Sequence, residues 1–350
     1  CERIEVVEAG HPLPDEAGAD AAREMLARAE RLGPGDLLLG LWSGGGSALL
    51  GWPPEGVTLE DVRTVHAALL DAGAPIGAIN GVRRHLSRVA GGRLAEAAAP
   101  AQVVGLVLSD VPGDDPATVA SGPTATAWGD ALDPLEILAR YSVTPPDAVR
   151  AVLERCAGSP APTTAPERST HIVVASAETA LQAAADAAAE YGIDTRILGA
   201  AVEGESRLVA EVHARLALVQ RMRVDGPTLF LSGGETTVRV VGPGVGGPNQ
   251  EYVLALALAL DGARGIHAIA CDTDGIDGRA DAAGAWIGPD TLDRAQALGL
   301  DPWAALGAND ADPLFAALDD RVVTGPTRTN VNDFRAILVD PGGHASGRAP

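Results

Sequence analysis

Lysine is absent from this chain of 350 residues: all 26 basic residues are arginine. Chemistry that needs a lysine is thereby excluded, including a Schiff base and the phosphate-loop lysine that reaches β- and γ-phosphates. Against the arginines stand 47 acidic residues, for a net charge of −21. So acidic a surface argues against nucleic acid or an anionic membrane as the main partner. Cysteine is scarce as well. Cys1, Cys156 and Cys271 are widely spaced and odd in number, which argues against a disulfide framework and fits a reducing cytoplasm. No Cys-x-x-Cys or His/Cys cluster points to zinc. The longest apolar run, Tyr252 to Leu260, is too short to cross a bilayer. The first residues have neither the apolar core nor the cleavage site of a signal peptide. The chain begins at Cys1 rather than methionine, so it is expected to be cut from something longer.

What is present is a rhythm of short apolar strand, Gly/Ser/Asp turn and helical stretch. Leu37–Leu41, Val103–Leu108, His171–Ala175, Asp194–Leu198, Thr228–Leu231, Ile266–Ala270 and Phe334–Val339 read as strands. Ser176 reads as the N-cap of a helix through Tyr191, with further helices over Glu203–Gln220 and Asn249–Leu260. The alternation predicts α/β architecture, with mainly parallel strands and helices on both faces. Glycine content rises from Thr228, which places a domain boundary near 225. Domains of 1–224 and 225–340 are expected, with a surface loop at 157–166 and a disordered tail over 341–350.

Three features occur once in each half. Strand followed by Ser-Gly-Gly stands at Ser43-Gly44-Gly45 and at Ser232-Gly233-Gly234. Strand followed by an acidic loop stands at Asp110–Asp115 and at Asp272–Gly278. A Gly-Pro-Thr turn stands at Gly122–Thr124 and at Gly325–Thr327. Glycine after a strand lets backbone N–H groups approach an anion, and a helix starting there adds a favourable field. Ser43-Gly44-Gly45-Gly46-Ser47 and Ser232-Gly233-Gly234-Glu235 are therefore candidate phosphate loops. Asp272, Asp274 and Asp277 crowd one glycine-bearing loop, as oxygen ligands for Mg²⁺ would, or as Asx turns capping a helix would. Arg83-Arg84-His85 and Arg93 form a local cationic cluster, and Thr327 to Asp333 concentrates polar groups that could orient a hydroxylated small molecule.

On these residues the chain resembles the bacterial and archaeal glycerate 2-kinases that carry a MOFRL domain, a family also labelled hydroxypyruvate reductase. The matching segments are Gly10–Glu16, Trp42–Leu49, Asn80 with Arg83–Ser87, Ser109–Asp115 and Ser121–Thr124, then Ser232–Val238, Asn249–Glu251, Thr273–Gly278 and Thr324–Asp333. The resemblance implies a Rossmann-like larger domain plus a smaller MOFRL-type domain, with the active site in the cleft between them. It implies ATP-dependent phosphorylation of D-glycerate with Mg²⁺, in the cytoplasm, with a homodimer possible. Asp110, Asp274, Asp277, His85 and Arg84 are the candidate catalytic groups. Asn80, Thr236, Asn249, Glu251, Thr327 and Asn330 join the two loops as candidate binding residues, and Asp272, Asp274 and Asp277 as candidate metal ligands. Three departures stand out: a first segment with a Gly-x-Gly-Lys turn precedes this start in the family, and Ala90 and Pro248 replace a lysine and an arginine. An NAD(P)H-dependent hydroxypyruvate reductase and a non-catalytic ligand-binding homologue are the alternatives.

Overall fold

A computed structural model describes residues 3–11, 13–74, 76–126, 133–156 and 169–342. The expected loop at 157–166, most of the expected tail and Cys1 lie outside these residues. The strands are β1 (Leu37–Trp42), β2 (Gln102–Leu108), β3 (Ser169–Ala175), β4 (Asp194–Gly199), β5 (Gly204–Glu205) and β6 (Thr228–Gly234). They continue as β7 (Thr236–Thr237), β8 (Ile266–Asp272), β9 (Gly284–Ile287), β10 (Arg321–Val322) and β11 (Asp333–Val339).

The chain divides into two compact units, Cys1–Val174 and Ala175–Pro350. This division falls after residue 174, whereas the boundary expected from glycine content stands near 225. The reason is β4, which pairs in parallel with β6 from Asp194↔Thr228 onward. The strand–helix stretch before 225 therefore completes the second unit's sheet, whatever the change in glycine content.

In the first unit β1, β2 and β3 lie side by side in that order, with β1 and β2 parallel from Leu37↔Gln102 to Trp42↔Val107. One face covers Trp42, Leu94, Val103, Val107 and Val119. The other leaves Leu37, Leu39, Leu41, Ile172 and Val174 exposed, a surface that parallel sheets ordinarily cover. Four helices, Leu59–Asp71, Ile76–His85, Pro134–Arg140 and Asp147–Cys156, pack through Val65, Leu69, Val82, Leu138 and Leu153.

The second unit has a six-stranded sheet in the order β10-β9-β8-β11-β6-β4. β11 is antiparallel to both β6 and β8, so β4, β6 and β8 share one direction, as the strand–helix alternation predicts. β9 and β10 extend the sheet in antiparallel fashion. Helix Pro248–Leu260 is buried nearly all round, the mark of a central helix rather than a surface one.

Candidate functional site

In the first unit, parallel register sets the carboxyl ends of β1 and β2 beside each other, where ligands of open α/β sheets bind. Gly44 lies against Asp110 so closely that any Cβ there would collide with the carboxylate. Gly45, at φ +78°, turns the chain into the short helix Gly46–Leu49. Burial pushes the Asp110 carboxyl above the ordinary aspartate range. Ser47 Oγ lies 2.7 Å from Ser121 Oγ. Ala120, Ser121 and Gly122 all have positive φ, at 51°, 59° and 59°, a conformation that costs non-glycine residues energy and collects at functional sites. The Gly91-Gly92 turn holds this strained run: Gly91 N donates to Ser121 O at 2.9 Å and Gly92 N to Gly122 O at 2.7 Å. Thr124 accepts from Trp42 Nε1 at 2.8 Å, which ties the Gly-Pro-Thr turn to the end of β1.

The expected cationic cluster divides. Arg83 lines a small inner cavity with Ser47, Ser87, Ala90 and Ser121. His85, Arg88 and Arg93 instead line a shallow outer groove with Glu96 and Cys156. His85 Nδ1 lies 2.9 Å from Gly81 O, within its own helix, and burial pushes its pKa down. Burial also lowers that of Arg84, with the Asp115 carboxylate opposing the shift. Arg93 Nη1 donates to the carbonyls of Arg84 and Ala90 at 2.9 and 2.8 Å. Asn80 is buried, and its Oδ1 has no donor among the described residues.

In the second unit the outcome is different. The expected turn at Ser232-Gly233-Gly234 is part of β6, because β11 pairs along it: Arg335↔Ser232, Phe334↔Gly233 and Asp333↔Gly234. Asp333 thus stands between Gly234 on β6 and Asp272 on β8. It accepts from Thr236 N at 3.1 Å and Asn249 Nδ2 at 2.6 Å, and it pairs with the fully buried Arg335. Arg335 also donates to Thr236 Oγ1 at 3.0 Å. Glu251 pairs with Arg207 at 2.7 Å and accepts from Asn309 at 2.8 Å. Ser232, Thr236, Asn249 and Glu251 are all buried; the last three are engaged with other side chains of the unit. Glu235 is exposed.

The acidic loop resolves toward Asx turns and a helix cap. Asp272 Oδ1 accepts from Asp274 N at 2.9 Å and Asp274 Oδ1 from Ile276 N at 2.7 Å. The buried Asp277 carboxylate accepts from Asn249 N at 3.0 Å and Gln250 N at 2.8 Å, at the start of helix Pro248–Leu260. An internal anion therefore occupies that helix terminus. Burial pushes Asp277 up to about 7, against the pull of these donors. Asp272 is also pushed up to about 7, first by burial and then by neighbouring carboxylates. Among the described residues no group of three or more His, Cys, Asp or Glu side chains could hold a metal ion. Asp272 and Asp274 thus each give one oxygen, and Asp277 both of its oxygens, to nearby backbone N–H groups. Thr327 donates to Thr273 O, and Asn330 Oδ1 accepts from Asn332 N at 2.8 Å, so this polar turn bonds to its neighbour and to itself.

Sequence reasoning gave no role to Ser121 or Arg335, and it placed Asp333 in a substrate-orienting turn rather than in a buried ion pair. The one available signal for Arg335 was an arginine in the interior of an apolar strand, a position that charged side chains rarely hold unpaired.

Fold and site together define a two-unit α/β protein whose first unit carries glycine, serine and carboxylate groups beyond the carboxyl ends of its strands, with a guanidinium lining a small cavity beside Ser47. Residues 1–154 match a family described as a domain of unknown function, DUF4147, and residues 228–333 match the MOFRL family. The chain is 49% identical over 342 residues to a protein of Agrobacterium vitis whose name gives hydroxypyruvate reductase as a provisional assignment, covering 96% of this chain and 78% of that one. It is 39% identical over 347 residues to the D-glycerate 2-kinase of Thermotoga maritima, covering 96% and 80%. The crystal structure of glycerate kinase from Thermotoga maritima aligns with a TM-score of 0.87 at 36% identity, covering 97% of this chain and 81% of that one. The chain belongs to the glycerate 2-kinase family with a MOFRL domain.

Proposed function

We propose that this chain is a phosphotransferase that transfers the terminal phosphoryl group of ATP to the 2-hydroxyl of D-glycerate. The carrying observation is Asp110, seated on Gly44 at the adjoining ends of β1 and β2 with its pKa raised by burial. A carboxylate so tuned accepts the hydroxyl proton as that oxygen attacks phosphorus and the bond to the departing ADP oxygen breaks. The rest of the task is positioning and charge neutralisation. Backbone N–H groups of Gly44 to Ser47, the Ser47 and Ser121 hydroxyls and the guanidinium groups of Arg83 and Arg84 are the groups suited to it.

The described residues offer no preformed cage for a resident ion. Mg²⁺ is ordinarily held by one or two carboxylates plus substrate phosphates, so it is expected to arrive with the nucleotide and to supply neutralisation of phosphate charge. Asp272 and Asp274 each keep one oxygen out of the turn bonds described above, so each retains a donor that a cation could use. The test is ADP release with D-glycerate, the product identified by ³¹P NMR as 2-phosphoglycerate. ADP release indifferent to D-glycerate would overturn the reading.

The provisional name of the Agrobacterium vitis relative favours a second reading, hydroxypyruvate reduction. A dinucleotide fingerprint needs Gly-x-Gly-x-x-Gly opening a helix. After β1 the third glycine position holds Leu49, and the helix there spans only Gly46–Leu49. Oxidation of NADH by hydroxypyruvate in the presence of this chain would revive it.

A further inference from the structure

Most arginines placed in contact here answer a carboxylate or a carbonyl. Arg28, Arg207, Arg294 and Arg335 form ion pairs, Arg93 donates to two carbonyls, and Asp115 acts on Arg84. Arg83 does neither. Its guanidinium is largely buried, its Nε has no partner among the described residues, and no carboxylate lines its cavity. Burial lowers its pKa, and no acidic neighbour opposes the shift. A buried cation without a countercharge is costly, and more anomalous still in a chain of net charge −21. Lining the same cavity are Ser47, Ser87 and Ser121, the first and last in mutual hydrogen bond at 2.7 Å and Ser87 Oγ accepting from Val89 N and Ala90 N at 3.2 Å. Ser121 is held there by the strained Ala120–Gly122 run.

We propose that Arg83 is the recognition group of an oxyanion subsite bounded by Ser47, Ser87 and Ser121. A planar guanidinium flanked by hydroxyl donors matches the paired oxygens of a carboxylate or phosphate. The subsite deepens the kinase reading by assigning Arg83, rather than Arg84 or His85, to hold an anionic end of a substrate. The carboxylate of D-glycerate and a phosphate of the nucleotide are the two sources of that chemistry.

Calorimetry on the full chain with D-glycerate and, separately, with inorganic phosphate distinguishes them: the occupant is the one whose affinity depends on Arg83. Arg83→Gln is expected to weaken that ligand on the order of 10- to 100-fold, and Arg83→Lys by less, since charge is kept but the fork is lost. In the unaltered protein the Arg83 Nε–H resonance, followed by ¹⁵N NMR, is expected to shift with the same ligand, a readout that does not depend on a variant folding. If neither anion moves that resonance, or if Arg83→Gln binds both as the parent does, the subsite is refuted. A chain that phosphorylates D-glycerate with KM and kcat indifferent to Arg83→Gln would refute the subsite and leave the kinase reading standing. Arg83-dependent anion binding without phosphorylation would do the reverse.

Discussion

Two strands of this chain end in Ser-Gly-Gly, and the two segments do opposite jobs. At Ser43-Gly44-Gly45 the strand has stopped, the backbone turns at positive φ, and Gly44 makes room for Asp110, while Ser47 two residues on lines the cavity of Arg83. At Ser232-Gly233-Gly234 the strand continues, and β11 runs along it. There the surrounding polar groups are spent on one another, through Asp333, Arg335, Thr236 and Asn249. At the first turn Arg83 Nε and Asn80 Oδ1 are left without a partner among the described residues; around the second, Asp333, Arg335 and Thr236 bond to one another as internal structure. Unsatisfied groups cost stability and are kept where function needs them, whereas a closed network rigidifies the fold.

The comparison breaks most visibly at Arg335. Arg335→Ala leaves the Asp333 carboxylate buried without its cation, an expected cost of about 3–5 kcal/mol. The melting temperature should fall by roughly 10 °C, measured by calorimetry. A fall of less than about 2 °C would mean that the network is not structural.

Asp110→Asn probes the first unit. It should lower kcat by on the order of 10²- to 10⁴-fold while the melting temperature stays near that of the parent. A variant that melted early and kept its kcat would reverse the roles assigned to the two units.

Acid should also separate the units. Burial and Arg83 push His66 down to about 3, and burial and Arg335 push His213 down to about 4. The unfolded chain protonates both near 6.5, so the stability they contribute is lost as pH falls below that value. In the second unit Asp272 and Asp277, pushed up to about 7, act in the other sense. Folded, they bind protons that the unfolded carboxyls take up only near 3.8, so their contribution grows as pH falls from 7. Between pH 7 and 4.5, segment-resolved amide protection should fall more in helices Leu59–Asp71 and Ile76–His85 than in Pro248–Leu260. Equal losses would remove the distinction.

The smallest effect is expected at His85. His85→Gln alters the outer groove rather than the cavity of Arg83 and should change kcat/KM by no more than about twofold. A loss comparable to that of Asp110→Asn would return His85 to the site.

Much of the fold was legible in advance. β1, β2, β4, β8 and β11 lie within a residue or two of their expected ranges, and Ser176 caps the expected helix. The division into units at 174 was not legible, because the partner that claims β4 is β6, across an intervening helix. The division of Arg83 from His85 was legible in principle, since consecutive helical residues point about 100° apart. Adjacency in sequence concealed it.

Sequence alone determined the strand–helix rhythm, the family resemblance and the exclusion of lysine chemistry, because these are properties of local pattern and composition. Only tertiary structure decided which Ser-Gly-Gly is an open turn, which is paired strand, and which acids turn inward. Those outcomes depend on register between strands far apart in the chain: Asp333 meets Gly234 and Asp272 only when β11 slides between β6 and β8. No local pattern encodes a pairing whose partners lie so many residues away.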